Sequence, residues 1–186
     1  MSSAENWRNI TVEWPAYIVL DIPSPTAEKI QEFRKRFDPD RANLPAEITL
    51  TGSCGTGLVS FGQTLGEIAD KIELAAKQLT TFHICFDHID RFPETDIYFL
   101  TVKDSPALLR TQKIISECGI KFDPTPYPYH PHCTIALRKE IKDDRKLMKL
   151  FFLDIPKENI ILNTLSVYAL HENNTCDLLY KLPFGN

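Results

Sequence analysis

The chain has 186 residues, of which 43% are hydrophobic and 25% are charged, and its formal net charge is −4. This length is sufficient to bury a substantial core, and the composition is that of a folded protein, not a disordered one. The excess of acidic residues argues against broad electrostatic binding to long nucleic acid, although it is compatible with a local basic pocket for a terminal phosphate.

The first half of the chain alternates strand and helix patterns. Residues 16–22 form an apolar run that is typical of a buried strand. Ser24 and Pro25 have the residue types of an N-cap and a first helical position, and a helical stripe of apolar residues follows them. Thr64 and Glu67 have the spacing of a capping box at the start of a second helix. Strands are predicted over residues 16–22, 47–51 and 81–89.

The second half repeats this order of elements. Ser105 and Pro106 begin a helix that ends near Gly119, and Asp143 or Asp144 begins another. Strands are predicted over residues 97–102, 132–137, 162–170 and 177–182, with a turn at residues 173–174 before the last one.

The two halves are related by a nearly constant offset. From Ala16 to Ile97 is 81 positions, and the first residues of the two middle strands are 85 positions apart. This offset indicates a duplication, in which two similar halves pack about a pseudo-twofold axis and their middle strands meet across a cleft. The predicted fold is therefore α+β, with two lobes of mostly antiparallel sheet backed by helices. Lobe one is predicted over about residues 12–92 and lobe two over about residues 93–186.

The start of the chain and its cysteines indicate a cytoplasmic protein. Residues 1–6 have neither the basic nor the apolar region of a secretory signal, and no apolar run approaches the length that spans a membrane. The five cysteines are odd in number, scattered, and never form a CxxC pair. We therefore expect reduced thiols and not a disulfide framework or a zinc site.

Two short segments carry residues suited to chemistry, one on the middle strand of each half. Glu47 and Thr49 lie two positions apart in the first segment, and His132 and Thr134 do so in the second. Because side chains at i and i+2 of a strand point to the same face, each pair projects together. Paired ionisable and hydroxyl groups on two strands are what a site needs to move protons beside a phosphate.

Residues around the second segment are further candidates for the pocket. Tyr127 and Tyr129 can stack on a nucleobase or simply cover the core. His130 flanks the pocket or is a loop histidine without a role. Arg138 brings positive charge toward a phosphate or lies in solvent at a strand end.

Three other patterns have structural interpretations. Residues 52–57 are rich in glycine but match no phosphate-binding motif, and we expect a flexible loop or lid beside the cleft. Residues 34–36 are basic and are predicted to form a solvated helix face. His83 and His88 point to opposite faces of their strand, which argues against a zinc cluster there.

The two segments resemble the His-x-Thr/Ser motifs of the two-histidine phosphoesterase superfamily, which includes the 2′-5′ RNA ligase-like proteins and the 2′,3′-cyclic nucleotide phosphodiesterases. His132-Cys133-Thr134 is similar to the second motif of this family. Thr49 matches the first motif, whereas Glu47 stands where the family has histidine. The resemblance covers nearly the whole chain, because the order of elements fits the two-lobed architecture of the family. It implies that no metal or organic cofactor is needed.

The resemblance also implies roles for these residues. In the family, one histidine is the general base, the other is the general acid, and the hydroxyl residues hold the phosphate. By position, His132 is the remaining proton-transfer histidine, and Thr134 and Thr49 are the phosphate ligands. A carboxylate at Glu47 is a weaker base than imidazole, and it repels a phosphate. A carboxylate beside His132 raises the histidine pKa, so we expect Glu47 as base and His132 as acid.

The sequence therefore predicts an enzyme that hydrolyses 2′,3′-cyclic phosphates or 2′-5′ linkages of nucleotides or RNA ends by acid–base catalysis, slowed by the replacement of histidine with Glu47. One alternative is a non-catalytic family member that binds a nucleotide or an RNA end. A second alternative is an α/β interaction domain without a phosphate site, in which the two pairs are incidental, since threonine is common in strands.

Overall fold

The computed structural model describes residues 6–137, 143–172 and 175–185. Within these ranges the helices are α1 (Thr26–Phe37), α2 (Leu65–Ala76), α3 (Pro106–Ser116) and α4 (Asp144–Leu150). The strands are β1 (Ala16–Asp21), β2 (Glu47–Thr49), β3 (Phe82–Ile84), β4 (Phe86–Arg91), β5 (Ile97–Val102), β6 (His132–Leu137), β7 (Ile160–Leu162), β8 (Thr164–Leu170) and β9 (Cys176–Pro183). Short 3₁₀ helices cover Asn6–Asn9 and Pro39–Arg41.

The strands form two larger sheets and one two-stranded ribbon, and all of the pairings between them are antiparallel. The larger sheets have the orders β2-β1-β8-β9 and β4-β5-β6, and β3 pairs with β7 in the ribbon. This arrangement of helices with antiparallel sheets confirms the predicted α+β class.

Strands from the two halves of the chain are exchanged between the larger sheets. The units β2-β1-β8 and β6-β5-β4 have the same order: the middle strand of a half, its first strand, and a strand that follows the second helix of the other half. This equivalence agrees with the offset found in the sequence. The predicted lobe boundary near residue 92 does not coincide with a boundary between sheets, because β4 pairs with β5 while β8 and β9 complete the sheet of β1.

Two stretches that the sequence analysis predicts as single strands are each divided. Residues 81–89 form β3 and the start of β4, separated at Cys85, and residues 162–170 form the end of β7 and all of β8, separated at Asn163. In both cases the first piece belongs to the ribbon and the second to a larger sheet. In both cases the chain leaves strand geometry where the pairing partner changes.

The core is continuous across the two halves. Its members include Ile18 and Leu20 of β1, Ile72 of α2, Leu108 of α3 and Ile135 of β6, each with no exposed surface. Since these residues come from both halves, the same apolar burial that stabilises each sheet also fixes the position of the middle strands.

The predicted helix starts are close to those observed. Thr64 and Glu67 form the full capping box of α2, and the Ser105 hydroxyl accepts a hydrogen bond from the Leu108 backbone N–H at the start of α3. α1 begins at Thr26, one residue later than predicted. No helix in the described part of the chain is long and apolar enough to cross a membrane. The cytoplasmic location stays a prediction.

Candidate active site

The two motif strands lie side by side at the centre of the molecule. β2 is the outermost strand of its sheet, β6 is the outermost strand of the other, and the two contact each other. The thiol of Cys133 is fully buried on the opposite face of β6 from His132, and it accepts a hydrogen bond from Nη2 of Arg34 at 4.0 Å. Burial raises the pKa of this thiol to about 11, so it stays protonated and serves packing.

Arg34 joins the same two strands from α1. Its guanidinium is fully buried and donates hydrogen bonds to the carbonyl oxygens of Leu44 and Pro45, just before β2, and of Thr134 in β6. The prediction of a solvated face for residues 34–36 is therefore wrong for Arg34. The signal was present in the sequence, because Arg34 lies four residues after Ile30 and three before Phe37, on the same buried helix face.

His132 is held with one ring nitrogen committed and the other available. Its Nδ1 lies 2.7 Å from the carbonyl oxygen of His130. Because a carbonyl only accepts, Nδ1 carries the proton, and the neutral ring presents Nε2 as an acceptor. Phe92 and Phe99 pack against the imidazole in T-shaped arrangements, with ring centroids 4.9 and 5.3 Å away. This packing fixes the orientation of the ring.

Burial determines the charge preference of His132. The side chain is 9% exposed, and this desolvation lowers the pKa of the imidazole below its usual value. The hydrogen bond to His130 opposes the shift, whereas the nearby charges of His130 and Arg41 add to it. The neutral form, which is able to accept a proton, is therefore favoured to lower pH than in an ordinary histidine.

The pKa of Glu47 shifts in the opposite direction. It is also 9% exposed, and desolvation raises the pKa of its carboxyl group, while the charges of Arg34 and Arg41 and a hydrogen bond oppose the rise. That hydrogen bond runs from the Thr49 hydroxyl to Oε2 at 3.3 Å. The carboxyl of Asp21, which stands directly opposite Glu47 in the β1–β2 register, raises the pKa further.

These shifts contradict the expected charge states. We expected a carboxylate at Glu47 to raise the pKa of His132, yet the pKa of His132 is lowered and that of Glu47 is raised. Desolvation is the largest cause of both shifts, because it penalises the charged form of each group. Burial therefore shifts each group toward its neutral form.

A cavity of about 640 Å³ opens in front of β6. Among the described residues its wall includes His132, Thr134, His130 and Tyr127, which places these four predicted pocket residues together. Glu47 and Thr49 are not in this wall. They lie on the adjacent strand, so the common pocket predicted for the two motif pairs stays a prediction.

Tyr129 and Arg138 differ from the other candidates. Tyr129 is not part of the cavity wall; its hydroxyl donates to the Thr49 carbonyl oxygen at 3.2 Å, so it holds β2 in place instead of offering a stacking face. Arg138 lies outside the described residues. Its expected role beside a phosphate stays a prediction.

The glycine-rich loop at residues 52–57 borders the cavity through Ser53 and Cys54. It is fastened to the segment before β6, because the Gly55 N–H donates to the Tyr127 carbonyl at 2.8 Å and the Thr125 hydroxyl donates to the Ser53 carbonyl at 2.7 Å. The position beside the cleft agrees with the prediction. These contacts indicate a fixed wall in place of a lid.

Several residues of this site belong to neither sequence motif. Arg41, Phe92 and Phe99 line the cavity, and the two phenylalanines support His132. The only sequence signal for Arg41 is that it precedes Glu47 by six positions. Among the described residues, no group of three or more histidine, cysteine, aspartate or glutamate side chains is arranged to hold a metal ion.

The fold is shared with several solved structures. E. coli LigT complexed with 3′-AMP superimposes with a TM-score of 0.61 at 16% identity, covering 93% of this chain and 99% of LigT. The structure of TT0787 of Thermus thermophilus gives a TM-score of 0.61 at 14% identity, covering 92% of this chain and 98% of TT0787. These similarities show the fold.

Sequence similarity then identifies the family. The model of the 2′-5′ RNA ligase superfamily matches residues 22–174, and the chain belongs to this superfamily. A protein of Oceanobacillus iheyensis named "Putative phosphoesterase OB1230" is 29% identical over 122 residues, which are 64% of this chain and 69% of that protein. The resemblance noted from the two motifs is confirmed.

Proposed function

We propose that this protein is a phosphodiesterase that hydrolyses 2′,3′-cyclic phosphates or 2′-5′ linkages of nucleotides or RNA ends, without a metal ion. The observation that carries the proposal is the state of His132: a buried imidazole whose Nδ1 is engaged by the His130 carbonyl and whose Nε2 is left to accept a proton, beside Thr134 in the wall of a cavity. Membership of the 2′-5′ RNA ligase superfamily supports the reaction class.

The pKa directions support His132 as general base and Glu47 as general acid, the reverse of the roles expected from sequence. Nε2 of His132 removes a proton from water, and the water oxygen bonds to phosphorus. One ring P–O bond breaks, and the Glu47 carboxyl gives its proton to the departing ribose oxygen, which leaves a phosphate monoester. Transfer of a proton from imidazolium to carboxylate through solvent restores both groups. Each positioned acid or base contributes a rate factor of about 10²–10⁴.

Nucleotides are the proposed ligand class. E. coli LigT, which shares this fold, has been crystallised with 3′-AMP, with ATP and with NADP⁺. The cavity of this chain offers Thr134 for a phosphate and the exposed ring of Tyr127 for a base. A cavity of about 640 Å³ has the volume for a mononucleotide.

The first test is turnover of a 2′,3′-cyclic nucleotide by the wild type and by His132→Ala. Loss of the general base lowers kcat by a factor of about 10²–10⁴. His83→Ala is the matched control, because His83 is exposed on β3 and does not line the cavity. Equal turnover by wild type and His132→Ala contradicts the proposal.

A substrate that needs no acid separates the two roles. A p-nitrophenyl phosphodiester releases a stable phenolate, so the general acid is dispensable for it. Glu47→Gln then loses activity on the cyclic nucleotide but keeps it on the p-nitrophenyl ester, whereas His132→Ala loses activity on both. The opposite pattern assigns Glu47 as the base.

A second candidate function is binding without turnover, and the replacement of the family histidine by Glu47 favours it. Glu47→His restores the family pair. Increased turnover in this variant supports a weakened phosphodiesterase. No turnover in either protein, together with retained nucleotide binding, supports a binding protein.

A further inference from the structure

We propose that Arg41 is a phosphate-binding residue of this site, and that it supplies from the segment before β2 the positive charge that the chain lacks at position 47. This inference rests on the proposed function in one respect, namely that the ligand carries a phosphate. It applies equally to an enzyme and to a protein that binds its ligand without turnover.

Arg41 is placed by a short rigid segment. It is the last residue of the 3₁₀ helix Pro39–Arg41, and its backbone N–H donates to the Asp38 carbonyl at 3.1 Å while its own carbonyl accepts from the Leu44 N–H at 3.1 Å. Both ends of this segment are anchored, since Asp38 is fully buried and Leu44 is nearly so. The side chain of Arg41 extends from this segment and lines the same cavity as His132 and Thr134.

The guanidinium is close to both motif strands. Its charge acts on Glu47 of β2, lowering the pKa of that carboxyl against the effect of burial, and on His132 of β6, adding to the depression of the imidazole pKa. Arg41 is thus a cavity-wall residue whose charge reaches both members of the proposed acid–base pair. A phosphate that contacts His132 and Thr134 lies within the field of this cation.

Arg41 also has unused hydrogen-bonding capacity. Its Nε is buried, yet it has no hydrogen-bond partner among the described residues. Glu47, Asp21 and Asp38 lie on neighbouring elements, but none of them forms an ion pair with Arg41 within the described ranges. A buried unpaired donor on a cation is costly unless a ligand satisfies it, and the guanidinium fork matches phosphate oxygens in two-point contact.

The residue type at position 47 explains why a cation at Arg41 matters for binding a phosphate. A histidine there is able to carry a positive charge toward a phosphate, whereas a glutamate is neutral or negative. Of the described groups that face the cavity, Arg41 and Arg91 are the permanent cations, and Arg91 lies exposed beside Asp90. Arg41 is the half-buried one, where screening by solvent is weaker.

The test is direct binding of inorganic phosphate and of 3′-AMP, measured by calorimetry, to wild type, Arg41→Gln, Arg41→Lys and Arg36→Gln. Arg36 is exposed on α1 and does not line the cavity, so Arg36→Gln removes one positive charge away from the site. Loss of a charge-assisted phosphate contact weakens binding about tenfold or more in Arg41→Gln. Arg41→Lys keeps part of the affinity, and Arg36→Gln stays within about twofold of wild type.

Equal affinity of wild type and Arg41→Gln for phosphate overturns the proposal, as does an equal loss in Arg41→Gln and Arg36→Gln. Thermal unfolding of each variant shows whether a loss of binding reflects a loss of folding, and Arg41→Lys keeps the test decisive if Arg41→Gln is unfolded. Turnover is measured separately. If Arg41→Gln binds phosphate as well as wild type does and wild type turns over the cyclic nucleotide, the role of Arg41 is refuted and the proposed hydrolysis stands. If phosphate affinity depends on Arg41 but wild type shows no turnover, the proposed hydrolysis is refuted and the role of Arg41 stands.

Discussion

Arg34 donates two hydrogen bonds to the carbonyl oxygen of Thr134, from Nε at 3.1 Å and from Nη2 at 2.8 Å. The third nitrogen, Nη1, donates to the carbonyls of Leu44 and Pro45 at 3.0 and 2.9 Å. One buried guanidinium therefore fixes the two motif strands relative to each other, although these strands belong to different sheets. The geometry of the candidate active site depends on this contact as much as on the sheets themselves.

Replacing Arg34 by methionine is expected to lower the free energy of unfolding by about 3 kcal/mol or more, because it leaves one buried and two partly buried carbonyl acceptors without their donor. Arg34→Lys keeps the charge but loses the planar guanidinium, so its stability is expected to lie between that of wild type and that of Arg34→Met. Urea denaturation measures both changes. Lys35→Met, on the exposed side of the same helix, is the control and shifts stability by about 0.5 kcal/mol or less. Equal unfolding midpoints for Arg34→Met and Lys35→Met contradict the role of this contact.

His132 is expected to titrate below the ordinary histidine value of about 6.5, because burial penalises its charged form. Between the folded and unfolded pKa values the unfolded chain binds more protons, so stability rises with pH through this window and falls on acidification below pH of about 6.5. An NMR titration, with the His132 signal assigned from His132→Gln, measures the pKa. A pKa at or above the ordinary value refutes the base role in its proposed form.

Glu47 gives the opposite dependence. Its folded pKa is raised, so the folded state retains a proton that the unfolded chain releases, and stability falls as pH rises from about 4.5 through the raised value. Glu47→Gln removes this penalty, and its stability relative to wild type is therefore expected to increase with pH over that range. Denaturation at a series of pH values measures the difference. Glu32→Gln controls for removal of an exposed carboxyl from α1, and a pH-independent difference for Glu47→Gln contradicts the prediction.

Substitution of Gly57 tests how rigidly the glycine-rich loop is held against the segment that contains Asp123. Gly57 and Gly62 both have positive φ angles, of 95° and 85°, but a Cβ at Gly57 meets the Asp123 carbonyl oxygen at 1.7 Å, whereas one at Gly62 meets nothing within 4 Å. Gly62→Ala is expected to cost about 1 kcal/mol through backbone strain alone. Gly57→Ala adds the collision with backbone, at a further cost of about 1–3 kcal/mol or more. Similar urea midpoints for the two variants indicate a loop that is free to move.

Much of the local structure is readable from residue spacing. The capping box at Thr64, the cap at Ser105 and the apolar run of β1 depend on neighbours within one turn or one strand, so the pattern in the sequence is sufficient. The pairing of Glu47 with Thr49 and of His132 with Thr134 follows from strand geometry in the same way. The offset between halves predicts the equivalence of β2 and β6.

The division of two predicted strands could not be predicted from residue spacing. Cys85 and Asn163 lie within runs that the sequence analysis treats as single strands, and the interruption coincides with a change of pairing partner. Strand pairing joins residues that are distant in the chain, and a local pattern carries no information about which partner is chosen.

The sequence by itself determined the family motifs, the α+β class and the residues that share a strand face, because these depend on short-range spacing. Only the tertiary structure decided that Arg34 hydrogen-bonds to the segments of both motif strands, that Arg41 lines the cavity, and that burial shifts the pKa values of Glu47 and His132 in opposite directions. The physical reason is that charge preference follows desolvation, and desolvation is set by what the distant parts of the chain place around a group.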